Sequence, residues 1–299
     1  MHLNGLRGPL ILVLALLALV VVIGGCGSES EGSSAATGGT PQRIVSLSPT
    51  ATEDLFAIDA GEDVVAVDEQ SDFPPQVPQT ELSGFQPNVE AIADYEPDLV
   101  VASAEGTEAA ARGLRKLGVE VLVQPAAATL GQAYEQIREL GRITGHEGEA
   151  EAVVEEMRER IAAAIEDAPD SEGLSVYHEL SPDYFSADSS TFIGRIYDSF
   201  GVENIADGAA EQGGGYPQLS AEHIVKANPE LIVLADIECC GQSPASVRRR
   251  DGWDRVAALG NGGLIAIEDD IASRWGPRVP IFAERVAAAI AAVEEGPGE

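Results

Sequence analysis

The side chains in this sequence best suited to hold a ligand are aromatic. Only 5% of the chain is Phe, Trp or Tyr. Even so, Phe73, Phe85, Tyr184, Phe185, Tyr216 and Trp275 fall in segments that follow apolar, strand-like runs. In an open α/β lobe a ligand lies beyond the carboxyl ends of the strands, which is where such segments go. Flat faces suit a macrocycle or an aromatic chelator, and core packing is the competing use of each ring. Arg274 and Arg278 flank Trp275. Two guanidinium groups at a cleft would meet an anionic ligand bidentately. A salt bridge to Asp269 or Asp270 nearby is the other use open to them.

Catalysis has no comparable set. The sequence contains no HExxH, no G-x-S-x-G and no CxxC, and the triglycine at 213–215 lacks the lysine of a phosphate loop. His146, His178 and His223 are widely spaced and make a poor cage for bare zinc or manganese. No catalytic residue, protein-held metal or cofactor is therefore assigned. Cys239 and Cys240 are adjacent. Their Cα atoms lie about 3.8 Å apart, below the usual disulfide spacing, and outside the cytoplasm such a pair tends to oxidise. A local strained bridge, two quiet thiols and a redox or metal-touching role all stay open.

The elements that must position these residues repeat. Pro87-Asn88-Val89-Glu90-Ala91-Ile92 followed by Pro97-Asp98-Leu99-Val100-Val101-Ala102 returns as Glu222-His223-Ile224-Val225 followed by Pro229-Glu230-Leu231-Ile232-Val233-Leu234. Glu90 and Glu222 each stand seven residues before the proline, 132 positions apart. Each copy reads as a short helix, an acidic turn and a buried strand. One repetition at that distance argues for two similar α/β lobes and against a solenoid. Strands are expected at 43–47, 64–67, 99–103, 119–124, 174–180, 231–236 and 264–267. Helices are expected near 49–58, where Ser48-Pro49 opens the helix and Thr50 with Glu53, at capping-box spacing, offers an alternative start, and near 88–95, 107–117, 191–200, 220–227, 245–259 and 279–295. Strands alternating with helices predict parallel sheets. Between the lobes, Ala150, Val153, Val154, Met157, Ile161, Ile165 and Ala168 recur at steps of three and four, the stripe of a long amphipathic helix. The divisions read as an N-terminal α/β lobe at 42–128, linking helices at 129–170 and a C-terminal α/β lobe at 171–299.

The net charge is −32, from 50 acidic against 18 basic residues, with Lys116 and Lys226 the only lysines. Such a field repels phosphate backbones, so no nucleic-acid partner is expected; the charge itself reads as solubility. At the N-terminus Arg7 precedes an unbroken apolar run of 14 residues, Leu10 to Ile23. That is too short to span a bilayer and right for a signal-peptide core. It ends in Ile23-Gly24-Gly25-Cys26, which resembles the lipobox of bacterial lipoproteins. The resemblance implies a signal peptide at 1–25 and a lipid on Cys26, an anchor that holds without spanning. Residues 26–41, rich in Ser, Gly, Ala and Thr, read as a flexible tether.

Five segments in order, Ser46-Leu47-Ser48-Pro49, Ser71-Asp72-Phe73-Pro74-Pro75, Asn88-Val89-Glu90, Pro97-Asp98-Leu99-Val100 and Tyr216-Pro217-Gln218-Leu219-Ser220, resemble the iron-siderophore and cobalamin substrate-binding proteins of ABC importers. The resemblance covers nearly the whole chain after Cys26. It implies two Rossmann-like lobes joined by one long rigid helix, the class III periplasmic binding protein plan. It also implies a metal chelate in the inter-lobe cleft and delivery to an ABC permease from the extracytoplasmic face of the cell membrane. In that family one exposed glutamate per lobe meets permease arginines, and Glu90 and Glu222 stand at those positions. A plain favourable charge at a helix N-terminus is the alternative role for each. Cobalamin binders of the family often set tryptophans around the corrin; Phe85, Ser103 and Tyr216 stand here instead, which weakens cobalamin and leaves ferric siderophores open. Haem is a third ligand, and a chelatase-like enzyme on the same two-lobe plan is the reading from another class.

Overall fold

A computed structural model of the chain describes residues 39–103, 106–209 and 214–296. The expected signal peptide, Cys26 and most of the tether lie outside the described residues.

The first lobe runs β1 (Ile44–Leu47), α1 (Pro49–Ala57), β2 (Val64–Val67), α2 (Val89–Ala93), β3 (Leu99–Ala102), α3 (Glu108–Lys116) and β4 (Glu120–Val123). Two helices follow, α4 (Leu130–Thr144) and α5 (Glu147–Asp167). The second lobe runs β5 (Ser175–Glu179), α6 (Phe192–Ser199), β6 (Glu203–Asn204), α7 (Ala221–Ala227), β7 (Leu231–Leu234), α8 (Ile237–Cys240), α9 (Pro244–Val247), β8 (Leu264–Ala266), α10 (Asp269–Ser273) and α11 (Val279–Glu295). Both sheets are four-stranded and parallel, ordered β2-β1-β3-β4 and β6-β5-β7-β8. β3 and β7 occupy the same place in their sheets, and so do the helices before them. The doubled phrase is therefore a structural repeat.

Local chemistry sets the helix starts. Ser48 caps α1 with Pro49 in its first turn, Asn88 caps α2, Thr129 caps α4 and Ser220 caps α7. Gly145 at φ 79° ends α4 in the left-handed region, and α5 begins two residues on. Gly141 has no Cβ to collide with Ala150, so α4 and α5 close against each other. α5, about 32 Å long by its rise per residue, packs along α4 and α11. Its inward stripe is Ala150, Val154, Met157, Ile161 and Ala164.

Strand residues alternate between two cores. Leu99 and Val101 face a central core, Val100 and Ala102 a core private to the first lobe. In the second lobe Leu231 and Val233 face the same central core, Ile232 and Leu234 a private one. One apolar layer therefore runs from sheet to sheet through α4, α5 and α11.

The helix expected over 245–259 is short. Only Pro244–Val247 is α-helical, because Gly252 takes φ 78° and Trp253 turns fully inside. The loop expected before Arg278 contains α10, and the paired residues of β6 carry no apolar run that would announce them.

A buried ion cluster adds to the central core. Glu53 on α1 is 3% exposed. Arg274 Nη1 reaches its Oε1 at 2.8 Å, and Arg278 reaches Oε1 at 2.6 Å and Oε2 at 2.8 Å. Arg274 also donates to the Gln70 carbonyl at 2.9 Å and pairs with Asp270 at 2.7 Å. Removing one partner of a buried pair strands the other charge, at a cost of about 3–5 kcal/mol. Glu53→Ala, which strands two guanidinium groups, is expected to lower unfolding stability by at least about 3 kcal/mol, with Glu53→Gln intermediate; urea unfolding of the three proteins measures it.

Candidate functional site

Because both sheets are parallel, each lobe presents the carboxyl ends of its strands on one side, and the exposed aromatic residues gather there. Large apolar side chains left exposed among the described residues are Phe73, Phe85, Leu117, Phe185 and Tyr216. All but Leu117 are aromatic candidates. Phe85 is 73% exposed; its carbonyl lies against Gly106 just past β3, and Gly84 before it lies against the Leu47 carbonyl at the end of β1. In the second lobe Leu180 donates to the Phe185 carbonyl directly after β5. Residues 185–188 then run antiparallel to 215–218: Phe185 bridges Gln218, and Asp188 donates to the Gly215 carbonyl at 2.8 Å. This short ladder brings Phe185 and Tyr216 together. Partial burial and the Asp188 charge push the Tyr216 hydroxyl up from its usual pKa.

The other candidates are used differently. Phe73, half-exposed, has the Arg278 guanidinium 4.3 Å from its ring centroid. Beside it a cavity of about 410 Å³ opens between the lobes, lined by Asp72 and Phe73 from one and by Glu238, Glu268, Asp270 and Arg278 from the other. Arg274 and Arg278 are not free cations. Both are neutralised by Glu53 and Asp270, so the salt-bridge use prevails, with a partner 221 positions from Arg274 that local spacing does not offer. Asp269 instead accepts from the Glu238 and Cys239 amides. Trp275 packs against the central core and donates Nε1–H to Gln136 Oε1 at 2.9 Å. Tyr184, at φ 67°, stacks on Trp253 with centroids 6.0 Å apart. These four residues brace the site's surroundings: guanidinium and indole groups go to lobe contacts, and the Tyr184 ring goes inward.

Beneath the second-lobe ladder lies a buried acid pair. Glu179, at the end of β5, is fully buried and receives both Nη atoms of Arg250 at 2.5 Å. Arg250 also lies over the Trp253 and Tyr184 rings, at 4.7 and 5.4 Å. Asp236, just past β7, is equally buried and has Glu179 as its neighbouring acid. Burial, and next the charge on Glu179, push its pKa up to about 7. His178, on the opposite face of β5, lies 2.7 Å from the Tyr197 hydroxyl, and burial pushes its pKa down to about 3. It is a core histidine. His223 Nε2 lies 2.9 Å from the Ile205 carbonyl. Among the described residues, no three His, Cys, Asp or Glu side chains are placed to hold a metal ion.

Residues 44–271 match the family described as periplasmic binding protein. The chain belongs to that family. An uncharacterized ABC transporter substrate-binding lipoprotein of Bacillus subtilis, YvrC, is 31% identical over 84% of this chain and 80% of its own length. A protein of Halobacterium salinarum named cobalamin-binding protein is 31% identical over 80% of this chain and 66% of its own. The crystal structure of a possible iron-binding, periplasmic solute-binding protein of Staphylococcus epidermidis superposes with a TM-score of 0.71 at 26% identity, covering 84% of this chain and 99% of that one. The two parallel-sheet lobes and long joining helix are thus the plan of class III periplasmic binding proteins.

Within this periplasmic binding protein, the residues that sequence reasoning missed are Glu53, Glu179 and Asp236. Their one legible signal was position: an acid at the end of each of the apolar runs 174–180 and 231–236, and one in the first turns of a capped helix. Asp236 also carries a sign. A native carboxyl whose pKa is raised holds its proton where the unfolded chain has lost it. The stability it contributes is full below the unfolded pKa of about 4 and is lost as pH rises through about 7. Asp236→Asn removes that loss. Compared in urea at about pH 5 and about pH 8, stability relative to the parent is expected to move in the variant's favour at the higher pH.

Proposed function

We propose that this protein is the substrate-binding lipoprotein of an ABC importer, taking a corrinoid between its lobes and delivering it to the permease. The observation that carries the reading is the exposed aromatic set, Phe85 on the first lobe with Phe185 and Tyr216 on the second, at the carboxyl ends of both sheets. Apolar rings left in water at a cleft favour a broad, flat ligand. The neighbouring electrostatics bear on which one. Arg274 and Arg278 are neutralised, and the cavity beside Phe73 is walled by Asp72, Glu238, Glu268 and Asp270. That wall disfavours a polyanionic chelate and tolerates cyanocobalamin, which has no net charge. The name cobalamin-binding protein, borne by the Halobacterium relative, points the same way. A ferric chelate is the second reading, supported by the likeness to the possible iron-binding protein of Staphylococcus epidermidis.

The lipoprotein part of the reading rests on Cys26, whose small-residue context Ile23-Gly24-Gly25-Cys26 suits lipidation. Among the described residues no helix is long and apolar enough to cross a membrane. Glu90 and Glu222 are exposed, carry no ion pair among the described residues, and head the equivalent helices α2 and α7. Two carboxylates on opposite lobes give a two-point contact that fixes orientation on a basic partner.

Calorimetric titration with cyanocobalamin, haemin and a ferric siderophore tests the ligand. The expected result is binding of cyanocobalamin at micromolar Kd or tighter without turnover, weakened about tenfold by Phe85→Ala or Tyr216→Ala. Binding of none of the three sinks the reading, and tight binding of the ferric chelate alone replaces it. For docking, the double reversal Glu90→Lys, Glu222→Lys is expected to leave cyanocobalamin affinity unchanged and abolish cellular uptake. Normal uptake by the double variant removes both residues from the interface.

A further inference from the structure

Cys239 and Cys240 form a disulfide between neighbouring residues. They end α8, directly after the β7 strand, and the run from Glu238 to Gly241 is exposed. The segment is small and tied at known points. The Gln242 amide closes it onto the Asp236 carbonyl at 3.2 Å. The Gln242 side chain receives Arg250 at 3.0 Å. Ahead of the disulfide ring, the Glu238 and Cys239 amides donate to the two carboxylate oxygens of Asp269 at 3.1 and 2.9 Å. Asp269 opens α10, whose next residue, Asp270, pairs with Arg274 and Arg278 in the Glu53 cluster. Glu238 and Asp270 also line the same inter-lobe cavity. The sulfurs therefore sit two contacts from the group that joins the lobes.

We propose that Cys239–Cys240 is a thiol–disulfide exchange site that takes a dithiol reductant, and that the closed ring holds this segment on Asp269 and thereby steadies the inter-lobe ion cluster. Exposure gives an incoming thiolate access to either sulfur. It attacks one, the bond between the cysteines breaks, and the other cysteine leaves as a thiolate and takes up a proton. The second sulfur of the dithiol then displaces the first cysteine from the mixed disulfide. Two electrons pass from the dithiol, which ends as its own disulfide, and two protons end on Cys239 and Cys240. Opening the ring frees the peptide between the cysteines to rotate, and the two amides on Asp269 lose their fixed aim. The proposal is independent of which ligand the cleft holds.

The test uses the full chain and needs no ligand. Differential alkylation with peptide mass spectrometry, before and after dithiothreitol in native buffer, reads the two cysteines apart from Cys26. Hydrogen exchange then compares the oxidised protein, the reduced protein, Cys239→Ser/Cys240→Ser and Asp269→Asn. Both cysteines are expected to be blocked before reduction and alkylated after it. Exchange of the Glu238 and Cys239 amides is expected to rise about tenfold or more in the reduced protein and in the serine variant, with a smaller rise over 271–275. Asp269→Asn is expected to show the first rise while still oxidised. Free thiols in the untreated protein, a bond that yields only when urea unfolds the chain, or equal exchange in both redox states each overturns it; the reduced parent protein gives the answer even where the serine variant folds poorly.

Discussion

The Glu53 carboxylate, out of water and shared by Arg274 and Arg278, constrains the rest of the molecule. A charge so buried costs several kcal/mol to desolvate, and only close, well-directed partners offset that. Its partners flank the short connector between α10 and α11 near the end of the chain, while Glu53 itself lies on α1, directly after the first strand. The cluster therefore exists only when both lobes have folded and met. It adds little net stability over an apolar contact of the same size, but it admits one arrangement. A relative lobe rotation that lengthened the 2.6–2.8 Å contacts would leave guanidinium groups without their carboxylate. Beside it, the apolar layer through α4, α5 and α11 resists shear, since side chains interlocked at interior density have few alternative packings. Both features favour a cleft whose width changes little, with its rings already in position.

The two lobes share a scaffold and differ at their strand ends. What the chain repeats is strand order, the helix before the third strand and the exposed glutamate heading it. What it does not repeat is everything beyond the strand ends. The first lobe presents Phe85 on a single loop folded over β1 and β3. The second presents Phe185 and Tyr216 on a two-chain ladder, backed by Tyr184, Trp253 and Arg250 against Glu179. The backing fixes a loop that must keep aromatic faces in water, where they would otherwise turn inward.

Legibility in the sequence followed the range of the interactions. The strands, the capped helices and α5 rest on periodicity and on capping residues within a few positions, and these were readable. The exposed aromatics were readable because a flat apolar side chain after a strand has few places to go. Arg274 and Arg278 were half readable: Asp270, four residues from Arg274, was visible as a partner, and Glu53 was not, because no local rule joins positions 53 and 274. Asp236 was hidden for a different reason. An acid after a buried strand reads as the start of a loop, and only the closed packing around Glu179 turns it into an enclosed carboxyl. The helix expected over 245–259 failed where Gly252 and the pull of Arg250 toward Glu179 outweighed helix propensity.

That long-range pairing also changes what the acidic charge of the chain does. With 50 carboxylates to 18 basic side chains, the few guanidinium groups are scarce, and the structure places three of them, Arg250, Arg274 and Arg278, over buried acids and aromatic rings at the strand ends. They serve as counter-ions for the frame, so they do not attract anions into the cleft. The exposed surface at the strand ends carries carboxylates and aromatic rings beside them. Such a surface repels anions at short range, and the excess of carboxylates does the same around the whole body. One charge imbalance thus governs both places: inside, each of these guanidinium groups is claimed by a buried acid, and outside, carboxylates are left in excess.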